Sequence, residues 1–181
     1  MSTNYYTSDL HLGHANIIKL CNRPFSNIEE MDEALISNWN ARVHRDDHVY
    51  IIGDLAFRNV QPIVNYLDRL KGKKHLIVGN HDAKWMKQVR MSDYFESVDT
   101  LLEAIDKNRK TVMCHYPMMS WPGKGSYLIH GHVHGNKHMN YWPLLKTYDL
   151  ALNASVEIND YQPVTLEELI KNNDTWKSDD I

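Results

Sequence analysis

A chain of 181 residues is long enough to bury a sizeable core and is expected to form one domain over 1–181. With 43% hydrophobic and 24% charged residues the balance is globular, and a formal charge of −3 argues against a protein that wraps extended nucleic acid. Two cysteines, Cys21 and Cys114, are too few for a disulfide framework and match no zinc spacing, which suits a reducing compartment.

The N-terminal stretch MSTNYYTSDLHLGH has neither a basic region nor an apolar one, so it does not read as a signal peptide. No apolar run approaches the ~20 residues that span a bilayer. A soluble, cytoplasmic protein without membrane contact is the expectation. Histidine is the outlier, at eleven residues, and its placement carries the reading.

In chain order, TNYYTS (3–8) reads as a short strand running into Asp9. Ser26 with Glu29 forms a capping-box pattern, and Ile28, Met31, Leu35, Ile36 and Trp39 recur at helical spacing, predicting a helix over 27–41. VYIIG (49–53) reads as a buried strand ending at Gly53-Asp54, and 60–71 as a helix with Pro62 in its first turn. HLIVG (75–79) is a strand ending at Gly79-Asn80, and 83–90 a short helix. SVDTLLEAI and KTVMCH, flanking 106–109, read as a hairpin that delivers His115. SYLIHG is a further strand, followed by an irregular stretch, and YDLALNAS (148–155) another. Thr165 with Glu168 caps a last helix over 166–172, and a polar, frayed tail is expected from about 173.

Metal-binding side chains recur where these strands end: Asp9 and His11, Asp54, Asn80 and His81, His115, His132 and His134. Carboxyl ends of strands are where α/β sites assemble. Asp9, His11, Asp54, Asn80, His115, His132 and His134 offer more donors than one ion needs, and two divalent ions sharing a carboxylate would use them all. Mixed oxygen and nitrogen donors without thiolate favour Mn²⁺, Fe or Zn²⁺ over soft metals, and paired ions about 3.5–4 Å apart suit in-line displacement at phosphorus. His81 is left over as a general acid for the leaving oxygen.

Asp9-Leu10-His11, Gly53-Asp54, Gly79-Asn80-His81-Asp82, His115 and Gly131-His132-Val133-His134 follow in the order of the calcineurin-like metallophosphoesterase superfamily, which the chain resembles over about 5–135. NDYQPVTLEEL also resembles the closing segment of small bacterial and phage members. The resemblance implies an α/β fold, a four-layer α/β/β/α sandwich of two mixed β-sheets. It implies Asp9, His11 and His134 at a first metal, Asn80, His115 and His132 at a second, Asp54 bridging, and catalytic His81 protonating the leaving group. The cofactor it implies is a pair of divalent ions, Mn²⁺ foremost, with Fe, Zn²⁺, Ni²⁺ or Mg²⁺ as alternatives. Serine/threonine phosphatases of the superfamily carry GDxVDRG and GNHE where this chain has GDLAFRN and GNHD. Phe57 therefore replaces the aspartate that pairs with the catalytic histidine, while Arg58 matches a phosphate-clamping arginine. A phosphodiesterase acting by metal-bound hydroxide on a small phosphoester, such as a nucleotide or short oligonucleotide, is the leading expectation. A phosphomonoesterase or nucleotide pyrophosphatase on the same centre, and a non-catalytic scaffold of the same fold, are the alternatives.

Taken singly, each motif has a blander reading: Asp9-x-His11 and Gly53-Asp54 as turns, Asn80 as a left-handed turn residue, His115 as a hydrogen-bonded core histidine. Jointly, in order, those readings fail. They keep their strength for His14 and Arg23, which with Arg58 are candidate substrate contacts; for Arg23 a surface or turn contact is the preferred reading. Tyr116, Trp121 and Lys124 are expected to pack or to rim the site, His130 to be core, and His44, His48, His75 and His138 to be structural or solvated.

Overall fold

Alternate residues of β2 (His48–Ile52) enter different cores. Val49 and Ile51 join the helices, whereas Tyr50 and Ile52 meet residues of a second sheet. That two-residue period is what a strand covered on both faces requires, and it sets the layering of the molecule. The computed structural model describes residues 2–57 and 61–178. The first sheet runs β1 (Asn4–Thr7), β2, β3 (Lys73–Ile77) and β4 (Phe95–Asp99), with neighbouring strands parallel. An antiparallel bridge from Tyr6 to Val164 extends its β1 edge. The second sheet runs β5 (Leu101–Asp106), β6 (Arg109–Cys114), β7 (Tyr127–His130) and β8 (Ala151–Asn153); β5 and β6 are antiparallel and the remaining pairs parallel.

Three apolar clusters fill the gaps between four layers. α1 (Ala15–Leu20), α2 (Ile28–Arg42) and α3 (Val64–Leu67) cover the outer face of the first sheet with Met31, Leu35, Trp39 and Tyr66. Ile52, Ile77, Met113, Ile129 and Leu152 join the two sheets. α4 (Trp142–Leu145) and the end of α5 (Leu166–Ser178) cover the outer face of the second sheet, where Trp142 and Trp176 pack against Leu128 and Ala151. This is the expected α/β/β/α sandwich. Its strand directions bring the carboxyl ends of β1, β2, β3, β6 and β7 to one rim.

Several boundaries differ from the sequence expectation. The capping box before α2 is one residue later: Asn27 Oδ1 accepts from the Glu30 backbone N–H at 2.8 Å, and the Glu30 carboxylate accepts from Ser26 N–H at 2.7 Å. The helix expected over 60–71 is the single turn α3, and 83–90 is two 3₁₀ turns, Asp82–Lys84 and Met86–Gln88. SVD belongs to β4 in the first sheet, so the hairpin begins only at Leu101. The strand expected over 148–155 narrows to β8, and the irregular stretch after SYLIHG contains α4. The polar tail expected from about 173 is, through Ser178, the last turns of α5. Asn173 is fully buried there, its amide donating to Asn153 O at 3.0 Å, and the Trp176 ring lies 4.7 Å from that of Trp142. Tertiary contacts, not local capping, set that end of the helix. The Thr165–Glu168 box forms as expected, with Thr165 N–H donating to Glu168 Oε2 at 2.8 Å.

Candidate metal centre

Each strand that ends at the rim hands over to a tight loop. Asp9, His11, Asp54, His132 and His134 all take positive φ, between 50° and 71°. This left-handed region is uncommon for residues other than glycine, so the loops are held by their surroundings. Asn80 is not among the positive-φ residues, so the left-handed turn set aside for it in the sequence is not formed. Two glycines are required by close approach. At Gly53 (φ 81°) a Cβ would strike the His115 ring, and at Gly79 one would strike the Asp54 carboxylate.

The loops bring all seven predicted donors together in two groups. In the first, His11 Nε2 lies 4.0 Å from Asp9 Oδ1, and His134 Nε2 lies 3.9 Å from the same oxygen. In the second, Asn80 Oδ1 lies 3.0 Å from both His115 Nε2 and His132 Nδ1. Asp54 Oδ2 stands between the groups, 3.6 Å from His11 Nε2 and 3.5 Å from His115 Nε2. Asp9, His11 and His134 could hold a metal ion, as could Asp9, Asp54 and His115. The donor chemistry fits such an occupant: His11 Nε2 is buried with no hydrogen-bond partner, a state that costs free energy unless something else binds it.

Burial and neighbouring charges set the protonation state of each donor. Burial holds His11 well below the usual imidazole range, and burial followed by the neighbouring His115 lowers His132; both rings are therefore neutral, lone-pair donors near pH 7. Burial raises Asp54 to about 6, helped by the Asp9 and Asp82 charges and opposed by His115 and the His81 N–H. Burial would lower His134, but hydrogen bonds with Cys21 and Glu157 and the Asp9 charge prevail and push it up to about 11.

His81 sits at the edge of the centre, its side chain 35% exposed and its Nε2 3.9 Å from Asp54 Oδ2. Its backbone N–H donates to Asp54 Oδ1 at 2.9 Å. The Phe57 ring packs against it with centroids 4.4 Å apart, and the same ring meets His14 at 4.6 Å. An aromatic face thus stands where phosphatases would place a carboxylate. His14 is beside the centre, with its Nδ1 3.4 Å from His11 Nδ1. Tyr116 rims the second group, 4.8 Å from the His132 ring and 47% exposed, whereas Trp121 turns away to donate to Ser126 O. Arg58 lies outside the described residues. A cleft of about 800 Å³ opens beside His132 and His134, lined further by Cys21, Met139, Tyr141 and Tyr161.

Arg23 is neither a phosphate clamp nor a surface residue. Its side chain is fully buried, Nη2 donating to Asp9 O at 2.6 Å, Nη1 to Leu10 O at 2.8 Å, and Nε to Glu157 Oε1 at 3.0 Å. Every nitrogen is engaged, which leaves nothing to offer a substrate. His130 is the core residue it was expected to be, fully buried with its pKa lowered by burial to about 4. His48, at the start of β2, and His75, in the middle of β3, pair at 2.9 Å.

Other supporting residues escaped sequence reasoning. Asp82 is fully buried and accepts from Gly79 N–H, Asp54 N–H, Leu55 N–H and Trp85 Nε1–H. Its place in GNHD was the available signal. Ser8 and Ser155 hydroxyls donate to Asp9 Oδ2 at 2.6 and 2.8 Å, and the His132 backbone N–H donates to both carboxylate oxygens, at 3.2 Å to Oδ1 and 3.0 Å to Oδ2. Asn153 Nδ2 donates to His134 O at 2.7 Å. Neither Ser155, Asn153 nor Glu157 lies in a spacing that marks it.

A rim-mounted Asp/His centre between two sheets in an α/β/β/α sandwich defines a metal-binding enzyme class. The calcineurin-like phosphoesterase model matches residues 5–179. Protein MJ1445 of Methanocaldococcus jannaschii is 38% identical, the alignment covering 92% of this chain and 89% of that protein. The gene 66 protein of Mycobacterium phage L5 is 28% identical, with 74% of this chain and 78% of that protein covered. Among solved structures, AQ665 from Aquifex aeolicus superposes with a TM-score of 0.71 at 27% identity, covering 94% of this chain and 99% of that one. The chain belongs to the calcineurin-like phosphoesterase family. That family acts on phosphoesters with divalent metals, and no helix among the described residues is long and apolar enough to cross a membrane.

Proposed function

We propose that the protein is a dinuclear metal-dependent phosphodiesterase for a small phosphodiester. The observation that carries this reading is Asp54 Oδ2, set between His11 Nε2 and His115 Nε2 at 3.6 and 3.5 Å. A carboxylate oxygen between two imidazoles is the arrangement of a bridging ligand. Asp9, His11 and His134 would hold one ion, Asn80, His115 and His132 the other, with Mn²⁺ the first choice for this donor set. Bound there, divalent ions supply Lewis-acid polarisation of the phosphoryl oxygen and lower the pKa of a coordinated water. His81 Nε2, at the exposed edge, donates the proton that the departing alkoxide takes up. His11 and His132, kept neutral by burial, present lone pairs without first losing a proton. Ser8, Ser155 and the His132 N–H fix the Asp9 carboxylate.

Two features support a diester over a monoester. Phe57 packs against the His81 ring where the phosphatases carry an aspartate, which leaves Asp54, with Oδ2 3.9 Å from His81 Nε2, as the carboxylate near the proton donor. Arg23, a candidate clamp for a dianionic phosphate, is consumed inside the fold. The cleft past Met139, Tyr141 and Tyr161 gives room for an organic group such as a nucleoside. A single folded unit acting in the cytoplasm fits this role. The test is turnover of bis-aryl against mono-aryl phosphate with added Mn²⁺: preference for the diester is expected, and preference for the monoester would overturn the assignment. No metal uptake and no hydrolysis of either would favour a scaffold.

A further inference from the structure

We infer that Glu157, gripped by Arg23, is a positioning residue that fixes the ring and tautomer of His134 for the first metal. The inference rests on the reading of His134 as a ligand. Glu157 stands on the short 3₁₀ turn Val156–Ile158 that follows β8. Its Oε1 accepts from His134 Nδ1 at 2.9 Å and from Arg23 Nε and Nη2 at 3.0 and 2.7 Å. An ionised carboxylate can only accept, so the hydrogen sits on Nδ1. Nε2 faces the centre, 3.9 Å from Asp9 Oδ1; its hydrogen is the one a metal ion would displace, because Nδ1–H stays bonded to Glu157. Carboxylate–imidazole pairs of this kind orient metal ligands in general.

Two further observations separate this role from an ordinary buried ion pair. A fork-to-fork pair with Arg23 would satisfy both carboxylate oxygens, yet the guanidinium and the imidazole converge on Oε1, and Oε2 is buried without a hydrogen-bond partner. The geometry gives up that oxygen's partner while holding His134. The same guanidinium also binds the carbonyls of Asp9 and Leu10. One buried cation therefore locks the β1 loop, which carries Asp9 and His11, to the carboxylate that holds His134. All three first-group donors are referenced to a single side chain.

The experiment is Mn²⁺ titration calorimetry with metal analysis on wild-type protein, Glu157→Gln, His134→Ala and the double variant, with circular dichroism confirming the fold. Glu157→Gln is expected to weaken one of two Mn²⁺ ions by about 10–100-fold and to leave the other unchanged. In the His134→Ala background the same substitution should change nothing further. Wild-type affinity at both sites in Glu157→Gln, or an equal loss in the His134→Ala background, would overturn the inference. A readout that needs no variant is the ¹⁵N-histidine spectrum of Zn²⁺-loaded wild-type protein, where His134 should carry its hydrogen on Nδ1; a hydrogen on Nε2 would overturn it. Wild-type protein that takes up no metal would sink the dinuclear reading itself. Two bound ions unaffected by Glu157→Gln would sink only this inference.

Discussion

Replacing Asp82 by asparagine exchanges one oxygen for an amino group of the same size, and the structure makes that exchange costly. Oδ1 accepts from Leu55 N–H at 3.0 Å and Trp85 Nε1–H at 2.7 Å, and Oδ2 accepts from Gly79 N–H at 2.7 Å and Asp54 N–H at 2.9 Å. Whichever way the amide is placed, two buried N–H groups face another donor. Each such group costs about 1–3 kcal/mol, so Asp82→Asn should lose about 2–6 kcal/mol, a large share of the roughly 5–15 kcal/mol of a typical domain. Urea unfolding of the metal-free protein, followed by circular dichroism, measures this. Glu33→Gln is the control: its pair with Arg69 is exposed on both sides, and such pairs contribute about 1 kcal/mol or less. Either placement frees an N–H of the Asp54 loop, that of Asp54 itself or that of Leu55, so Mn²⁺ affinity should fall with stability. A loss below about 1 kcal/mol would refute the view that this one carboxylate ties the two loops.

His81→Ala should keep both metals and lose about 10²–10⁴ in kcat, since it removes a proton donor and no ligand; loss of metal on analysis would contradict the role. Asp54→Asn should weaken both ions together, and unchanged occupancy would count against a bridge. Burial, then the neighbouring His48, holds His75 below its ordinary value of 6.5. Its unfolded form therefore takes up a proton first, so stability is full above about pH 6.5 and falls as pH drops towards the depressed folded pKa. His75→Gln should flatten that part of the stability–pH curve. Trp176→Ala should destabilise by about 3–5 kcal/mol in a thermal or urea melt, because its ring packs on Trp142 and Leu128; a change within about 0.5 kcal/mol would mean that the end of α5 is frayed after all.

What the sequence disclosed and what it hid divide along a physical line. Donor residues at strand ends were legible because metal chemistry restricts them to a few residue types, and because strand periodicity shows where each strand stops. The four layers came from the family resemblance, and β2, apolar on both faces, fits them. β4 was hidden because its partner, β3, is fixed by a pairing remote in sequence, and SVD reads locally like the start of the hairpin. α3 is a single turn whose N-cap position, Ile63, supplies no side-chain cap. Glu157 is one of 23 acidic residues with no motif around it. Arg23 read as a surface or turn contact, or else a phosphate clamp, because burial cannot be read from an arginine whose partners are distant in sequence.

Those distant partners explain how the loops tolerate their backbone. Asp9, His11, Asp54, His132 and His134 sit in the left-handed region, where each non-glycine residue costs of order 1–3 kcal/mol. Ions could offset such a cost only when bound, yet the restraints here are built from protein alone. Arg23 holds the carbonyls of Asp9 and Leu10, Asp82 holds the Asp54 and Leu55 amides, and Asn153 holds the His134 carbonyl. Asn153 is held in turn through its own N–H, which donates to Asn173 Oδ1 on α5 at 2.7 Å. The last helix, furthest in sequence from Asp9, thus stands at the end of a hydrogen-bonded chain that reaches a candidate ligand. Donors fixed this way need little reorganisation when metal arrives, which is the condition for tight binding by a carboxylate- and imidazole-rich site. The strain is accordingly a property of the folded scaffold, and the ligand loops should keep their shape in metal-free protein.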